Sequence, residues 1–312
     1  MARIVIPDDA PPVIASSAAY AVFRQRHDVE YFDSLPGSEE RLIERIARHE
    51  ICVNIRSSCR FTQAVMAACL QLRLISIWGT GTDNIDLEEA RRRGITVTNT
   101  PGVAAPSIAE HTLALLFAVA RKIPQLDAEV RRGAWPRGSM VQLTGKTVGV
   151  IGLGFIGQRF ARLAQGIGMR VIAWTMHPRD LGFEMVPLET LLRESDVVSL
   201  HLRLSPDTHH FLDAARLAMM KPSAILVNTA RGAIVDEAAL AEALANSRLA
   251  GAGLDVFGVE PLPSGHAFTA LPNVVLSPHC AGITPEVLEA GLALSLDNVE
   301  SWLAGSPSNV VV

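Results

Sequence analysis

From Thr147 the chain reads Thr-Val-Gly-Val-Ile, then Gly152-Leu153-Gly154-Phe155-Ile156-Gly157, then a helix-forming run, Gln158–Gln165. No other stretch limits the possible folds so tightly. Glycines spaced G-x-G-x-x-G between an apolar strand and a helix specify a tight turn. Gly152 permits the turn, Gly154 lets a ligand reach the backbone, and Gly157 lets helix and strand pack closely. The N–H groups of Phe155 and Ile156 then sit at the positive end of the new helix, where an anion is favoured. The pyrophosphate of a dinucleotide is the anion this arrangement suits.

Short apolar runs alternate with helical patterns along nearly the whole chain. Strands are expected at Ile4–Ile6, Ile51–Ile55, Leu74–Ile77, Ile95–Thr98, Val148–Ile151, Val171–Trp174, Val197–His201, Ala224–Val227, Gly253–Val256 and Val274–Leu276. Helical patterns lie between them, as in Glu39–His49 with Leu42, Ile43 and Ile46 on one face. Strands separated by helices imply parallel sheets with right-handed crossovers. A length of 312 residues suits two domains. The turn-rich Asn99-Thr100-Pro101-Gly102 ends one strand ahead of a long helical run, Ser107–Arg121, and Thr284-Pro285-Glu286 opens another that runs to about Leu303. These two helices divide the chain into a discontinuous domain, 1–100 plus 285–312, and a dinucleotide-binding domain, 101–284.

Composition narrows the function classes. A formal net charge of −4 shows no basic excess, which argues against nucleic acid as a partner, and Arg91–Arg93 read as a solvated helix end. The longest apolar stretch, near Thr112–Ala120, is too short to span a bilayer. With no signal-peptide pattern at the N-terminus, a cytoplasmic protein is expected. Cys52, Cys59, Cys69 and Cys280 form no CxxC pair and have no zinc-finger spacing, so no metal is expected.

At the end of the strand after the glycine motif stands Thr175, where an NAD site usually supplies Asp or Glu for the ribose hydroxyls. Thr175 brings no charge against a 2′-phosphate, and His177 and Arg179 follow. NAD and NADP both remain open as the cofactor.

Three further segments leave apolar strands and end in polar groups: Val227-Asn228-Thr229-Ala230-Arg231-Gly232, Leu254-Asp255-Val256-Phe257-Gly258-Val259-Glu260-Pro261 and Leu276-Ser277-Pro278-His279. Strand ends of a doubly wound sheet are where its ligands bind. With Gly152–Gly157, and with Gly79–Asp86 and Asn99–Gly102 earlier on, these segments resemble the signatures of the D-isomer-specific 2-hydroxyacid dehydrogenase family over most of the chain. The resemblance implies an α/β fold of two doubly wound parallel-sheet domains, a Rossmann dinucleotide-binding domain and a flavodoxin-like substrate (catalytic) domain. It implies hydride transfer between NAD(P)H and a small 2-oxo or D-2-hydroxy acid, and a homodimer. Carried over by motif, Arg231, Glu260 and His279 are the catalytic residues. His279 exchanges a proton with the substrate oxygen, Glu260 favours its charged form, and the Arg231 fork holds a carboxylate and polarises a carbonyl. Asp255 corresponds to an aspartate that receives the nicotinamide carboxamide, and Thr229 and Ala230 meet the nicotinamide end through backbone groups.

On the substrate side, Trp78-Gly79-Thr80-Gly81 resembles the family loop whose N–H groups bind the substrate carboxylate, and Arg56 resembles a pocket position. Trp78 can equally be read as a core aromatic at a strand end. Phosphoglycerate dehydrogenases commonly carry arginine where Ile77 stands, which counts against a phosphorylated substrate. Two departures alter the pocket walls: Cys280-Ala281-Gly282 follows His279 where Leu-Gly is usual, and Arg203 stands where proline is common. The alternative reading is a dinucleotide-sensing interaction protein, since C-terminal-binding corepressors share this architecture and the trio.

Overall fold

The computed structural model describes residues 2–55 and 59–312, so Arg56 lies outside the described residues. The chain forms two compact units, Met1–Ala104 with Ile283–Val312, and Ala105–Gly282.

The first unit is built on five strands, β1 (Ile4–Ile6), β2 (Val29–Tyr31), β3 (Ile51–Asn54), β4 (Leu74–Ile77) and β5 (Thr96–Thr98), in the order β2-β1-β3-β4-β5. All four pairings are parallel, and this order is the flavodoxin-like one. β2 is absent from the sequence reading: Val29-Glu30-Tyr31 is a three-residue edge strand, too short to display a period. β1, β3 and β4 are buried throughout. The run of apolar residues is what a sheet covered on both faces requires. One cover is the helix Pro285–Leu303, capped by the Thr284 hydroxyl at Val287 N–H. It approaches closely at Gly291, where a Cβ would lie 2.2 Å from the Trp78 indole nitrogen. Beyond it the tail pairs with β5 through Val97 N–H to Val312 O and Val311 N–H to Val97 O.

The second unit carries seven strands, β6 (Thr147–Ile151), β7 (Arg170–Trp174), β8 (Glu184–Met185), β9 (Val197–Leu200), β10 (Ile225–Asn228), β11 (Gly251–Leu254) and β12 (Val274–Leu276). Their order, β12-β11-β10-β9-β6-β7-β8, is the Rossmann order with one strand added at an edge. The chain reverses direction between β6 and β9, so the ligand crevice belongs at the carboxyl ends of these central strands. Two apolar clusters fill the two faces, one around Leu191, Leu226, Leu240 and Phe268, the other around Leu116, Phe160, Ala161 and Val227. The helix Ala105–Arg121 packs on β11 because β11 carries glycines: a Cβ on Gly253 would lie 3.0 Å from Leu115 Cβ. β8 and the helix Ile123–Arg131 escaped the sequence reading. The first has two exposed residues, and the second buries none, so neither has an apolar face to read. Among the described residues no helix is long and apolar enough to cross a membrane.

Candidate functional site

The glycine turn has the shape its spacing predicts. Gly152 has φ 98°, and a Cβ there would meet the His201 carbonyl at 2.7 Å. A Cβ on Gly157 would lie 1.9 Å from Gly152 O, so only glycine allows this helix–strand approach. Gly154 caps the helix Phe155–Gly166 and has nothing within 4 Å of its Cβ position, leaving space for a ligand against bare backbone. The first bond of the helix is Gln158 N–H to Gly154 O, so the preceding amides, Phe155 and Ile156 among them, point out of the helix end unclaimed. These features fit a dinucleotide pyrophosphate. Thr175 follows the last residue of β7, half-buried, with His177 and Arg179 exposed beyond it.

At the carboxyl end of β10 the buried Asn228 amide shapes the turn, accepting from Ala230 N–H at 3.0 Å and donating to Arg231 O at 2.9 Å. Arg231 then leaves the sheet half-buried, with Nη1 donating to Ala230 O at 2.8 Å. Ala230 therefore has both backbone groups engaged within the protein. The Thr229 hydroxyl, buried, meets Thr112 of the helix Ala105–Arg121 at 2.8 Å.

Glu260 and His279 come from segments after β11 and β12. Glu260 Oε1 accepts from Phe257 N–H at 2.9 Å, and Oε2 meets His279 Nδ1 at 2.7 Å. Burial pushes the Glu260 carboxyl up, but His279, the Phe257 amide and the Arg231 charge outweigh it and hold the group below the ordinary glutamate value. Glu260 thus links the side chains named from the motifs: it touches His279 and feels the Arg231 charge. His279 itself has φ 52°, a strained conformation for a non-glycine residue.

Asp255 is what holds that strained turn. Fully buried, it accepts from the Ser277 hydroxyl at 2.6 Å and from Cys280 N–H at 3.0 Å through Oδ1, and from Ala281 N–H at 3.0 Å through Oδ2. Its own carbonyl takes His279 N–H at 2.7 Å. Burial raises the Asp255 carboxyl, but bonds from His111, Ser277 and the two amides prevail and keep it ionised. His111, given no role in the sequence reading, reaches this cluster from the helix Ala105–Arg121, with Nε2 2.9 Å from Ser277 Oγ. Its helical position gave no hint, because its partners lie 144 to 166 residues away in sequence. His201, by contrast, is a half-buried histidine beside the glycine turn: desolvation pulls it down to about 3, and its Nε2 meets Ser199.

In the first unit, Gly79 adopts φ 146°, which favours glycine. Its N–H donates to Thr100 Oγ1 at 2.8 Å, and Asn99 Nδ2 donates to Thr80 O at 2.9 Å, so the Asn99-Thr100 motif braces the loop. The Trp78 ring lies against Gly291 and forms one wall of a cavity of about 450 Å3 with Val13, Ile14, Ile55 and Leu288. Trp78 is half-buried and packs against the apolar core of this unit.

Residues 113–281 match the family described as "D-isomer specific 2-hydroxyacid dehydrogenase, NAD binding domain". A glyoxylate reductase of Korarchaeum cryptofilum is 40% identical over 291 residues, covering 89% of this chain and 87% of its own. A glycerate dehydrogenase of Methylorubrum extorquens is 38% identical, with 93% of each chain covered. Among solved structures, an acyclic imino acid reductase in complex with NADPH and D-Arg superposes with a TM-score of 0.92 at 33% identity, covering 99% of this chain and 100% of that one. With both sheets in the order the motifs imply, a glycine turn shaped for a pyrophosphate, and these relatives, the chain belongs to the D-isomer-specific 2-hydroxyacid dehydrogenase family and is an enzyme with an NAD(P)-binding domain.

Proposed function

We propose that this dehydrogenase interconverts a small 2-oxo acid and its D-2-hydroxy acid, with His279 as acid–base, Glu260 supporting it and Arg231 binding the substrate. The observation that carries this reading is the 2.7 Å bond between Glu260 Oε2 and His279 Nδ1. A carboxylate on Nδ1 fixes that nitrogen as the N–H donor and leaves Nε2 as the atom that exchanges a proton with substrate. The bound dinucleotide supplies or accepts the hydride at C2. In reduction, Nε2 gives its proton to the oxygen at C2 as the alkoxide develops. In oxidation, Nε2 takes the hydroxyl proton and Glu260 stabilises the imidazolium that forms. Arg231 holds the substrate carboxylate and draws charge onto the carbonyl oxygen.

Within the first unit, the braced loop at Gly79 and Thr80 supports the expected binding of an acid's carboxylate by backbone N–H groups. The Gly79 N–H is already engaged, so this role falls to the amides of Thr80 and Gly81. The neighbouring cavity of about 450 Å3, walled by Trp78, supports acids with a longer apolar tail than glyoxylate. Exposed Ile123, Val130 and Trp135 on one stretch of chain support a homodimer interface there.

The direct test is a panel of 2-oxo acids, from glyoxylate and hydroxypyruvate to branched and aromatic members, with NADH and NADPH. His279→Ala should lower turnover by about 10²–10⁴-fold, the range for lost acid–base catalysis, with dinucleotide affinity retained. An unaffected rate would sink the assignment.

A further inference from the structure

Beside His279 an imidazole, a carboxylate and a thiol converge. His111 Nε2 lies 3.4 Å from Asp255 Oδ1, Cys280 Sγ lies 3.8 Å from the same oxygen, and all three atoms fall within 4.8 Å of one another. They come from the helix Ala105–Arg121, the end of β11 and the loop after β12. We propose that His111, Asp255 and Cys280 form a binding site for a thiophilic divalent cation, Zn2+ being the best match.

The distances carry the proposal. With Zn–N and Zn–O near 2.0 Å and Zn–S near 2.3 Å, a tetrahedral ion sets its N and O ligands about 3.3 Å apart and its O and S ligands about 3.5 Å apart. The two observed edges differ from these by about 0.1 Å and about 0.3 Å, so the ion needs little rearrangement there. The His111 and Cys280 ligand atoms lie within 4.8 Å of each other, and the Cys280 side chain is only partly buried. Asp255 is anchored through the Cys280 and Ala281 amides, the outer-shell support that orients a ligating carboxylate. One imidazole, one carboxylate and one thiolate suit Zn2+, whereas Mg2+ and Ca2+ prefer oxygen ligands alone. On binding, Cys280 releases its thiol proton to water, neutral His111 offers its Nε2 lone pair, and the Ser277 hydroxyl gives up its bond to Oδ1. Water fills the fourth position, because His111 and Cys280 are both partly exposed.

The consequence for catalysis rests on the proposed function. Asp255 and Cys280 adjoin His279, where that reading puts the nicotinamide, so ion and cofactor would compete.

Titration of the purified protein with Co2+, a spectroscopically visible stand-in for Zn2+, tests the site without using activity. One equivalent should bind, with a thiolate-to-cobalt charge-transfer band in the near ultraviolet. Cys280→Ser should abolish the band, and His111→Ala should weaken binding at least about tenfold, with melting curves confirming that both variants fold. No band in the wild type, or equal Co2+ binding in wild type and Cys280→Ser, overturns the proposal. Zn2+ should also weaken NADH binding, reversibly with chelator. Stoichiometric Co2+ binding with unchanged NADH affinity would uphold the ion site and count instead against the placement of the nicotinamide.

Discussion

Replacing Glu260 by Gln removes one charge and, with the amide carbonyl kept on Phe257 N–H, turns an NH2 donor towards His279 Nδ1. The glutamine carbonyl can still accept from Phe257 N–H, which now reaches Oε1 at 2.9 Å, so the loop keeps its anchor. Lost is the negative charge 2.7 Å from His279 Nδ1. In the oxidation direction that charge matters most at the transition state, where the imidazole becomes an imidazolium. Two unit charges at 2.7 Å attract by about 1.5 kcal/mol under water-like screening and about 6 kcal/mol at an effective dielectric near 20. The side chains are 35% and 37% exposed, which places the pair towards the screened end. A loss of about 2–3 kcal/mol is therefore expected, or about 30- to 150-fold in kcat for hydroxy-acid oxidation. Nicotinamide absorbance under saturating cofactor measures it, with D-glycerate or the fastest acid of the panel as substrate. KM should change little, because Arg231 and the carboxylate loop are untouched. Glu260→Asp, which keeps the charge, should recover part of the rate. An unchanged kcat, or an effect confined to KM, would refute the view that Glu260 works by stabilising charge on His279.

Gly157→Ala should weaken dinucleotide binding at least about tenfold and lower stability by about 1–3 kcal/mol, since the new methyl would meet Gly152 O at 1.9 Å; fluorescence titration with NADH and a thermal melt check both, and a variant that binds normally contradicts the close-approach reading. Thr175→Asp should weaken NADPH more than NADH, because a carboxylate at the end of β7 repels a 2′-phosphate, and equal losses would mean that Thr175 does not face that position. Burial raises the Asp196 carboxyl, but Thr147 N–H at 2.9 Å and Lys221 Nζ at 3.0 Å more than offset this, and the group lies below its ordinary value. Its folded-state value is thus depressed, so its contribution is fully present above the ordinary aspartate value and is lost as pH falls from there through the lower folded value. Asp196→Asn should cost about 1–2 kcal/mol near pH 7, with the partly exposed lysine discounted, and the gap from wild type should narrow in denaturant melts as pH falls below the ordinary aspartate value.

Most of the strands were legible because burial on both faces leaves a run of apolar residues in the sequence itself. Leu74–Ile77 and Val274–Leu276 have the limits the sequence predicts. Elements without such a run were not: β2, β8 and the helix Ile123–Arg131 are held by their neighbours or by short-range backbone bonds. The glycine turn was legible for a different reason. A backbone that must reach φ 98° at Gly152 and admit a carbonyl at Gly157 excludes other residues, so its geometry is recorded in residue type.

The sequence by itself determined the glycine turn and the alternation of buried strands with helices, because each follows from local periodicity or from residues no other type can replace, and its ordered motifs carried the resemblance to the family. The tertiary structure alone decided that Asp255, His111 and Cys280 come together. Their contacts join a helix, a strand end and a loop up to 170 residues apart in sequence, and no spacing rule connects such positions. They meet because β11 and β12 lie side by side, and because glycines in β11 let the helix of His111 pack directly against it.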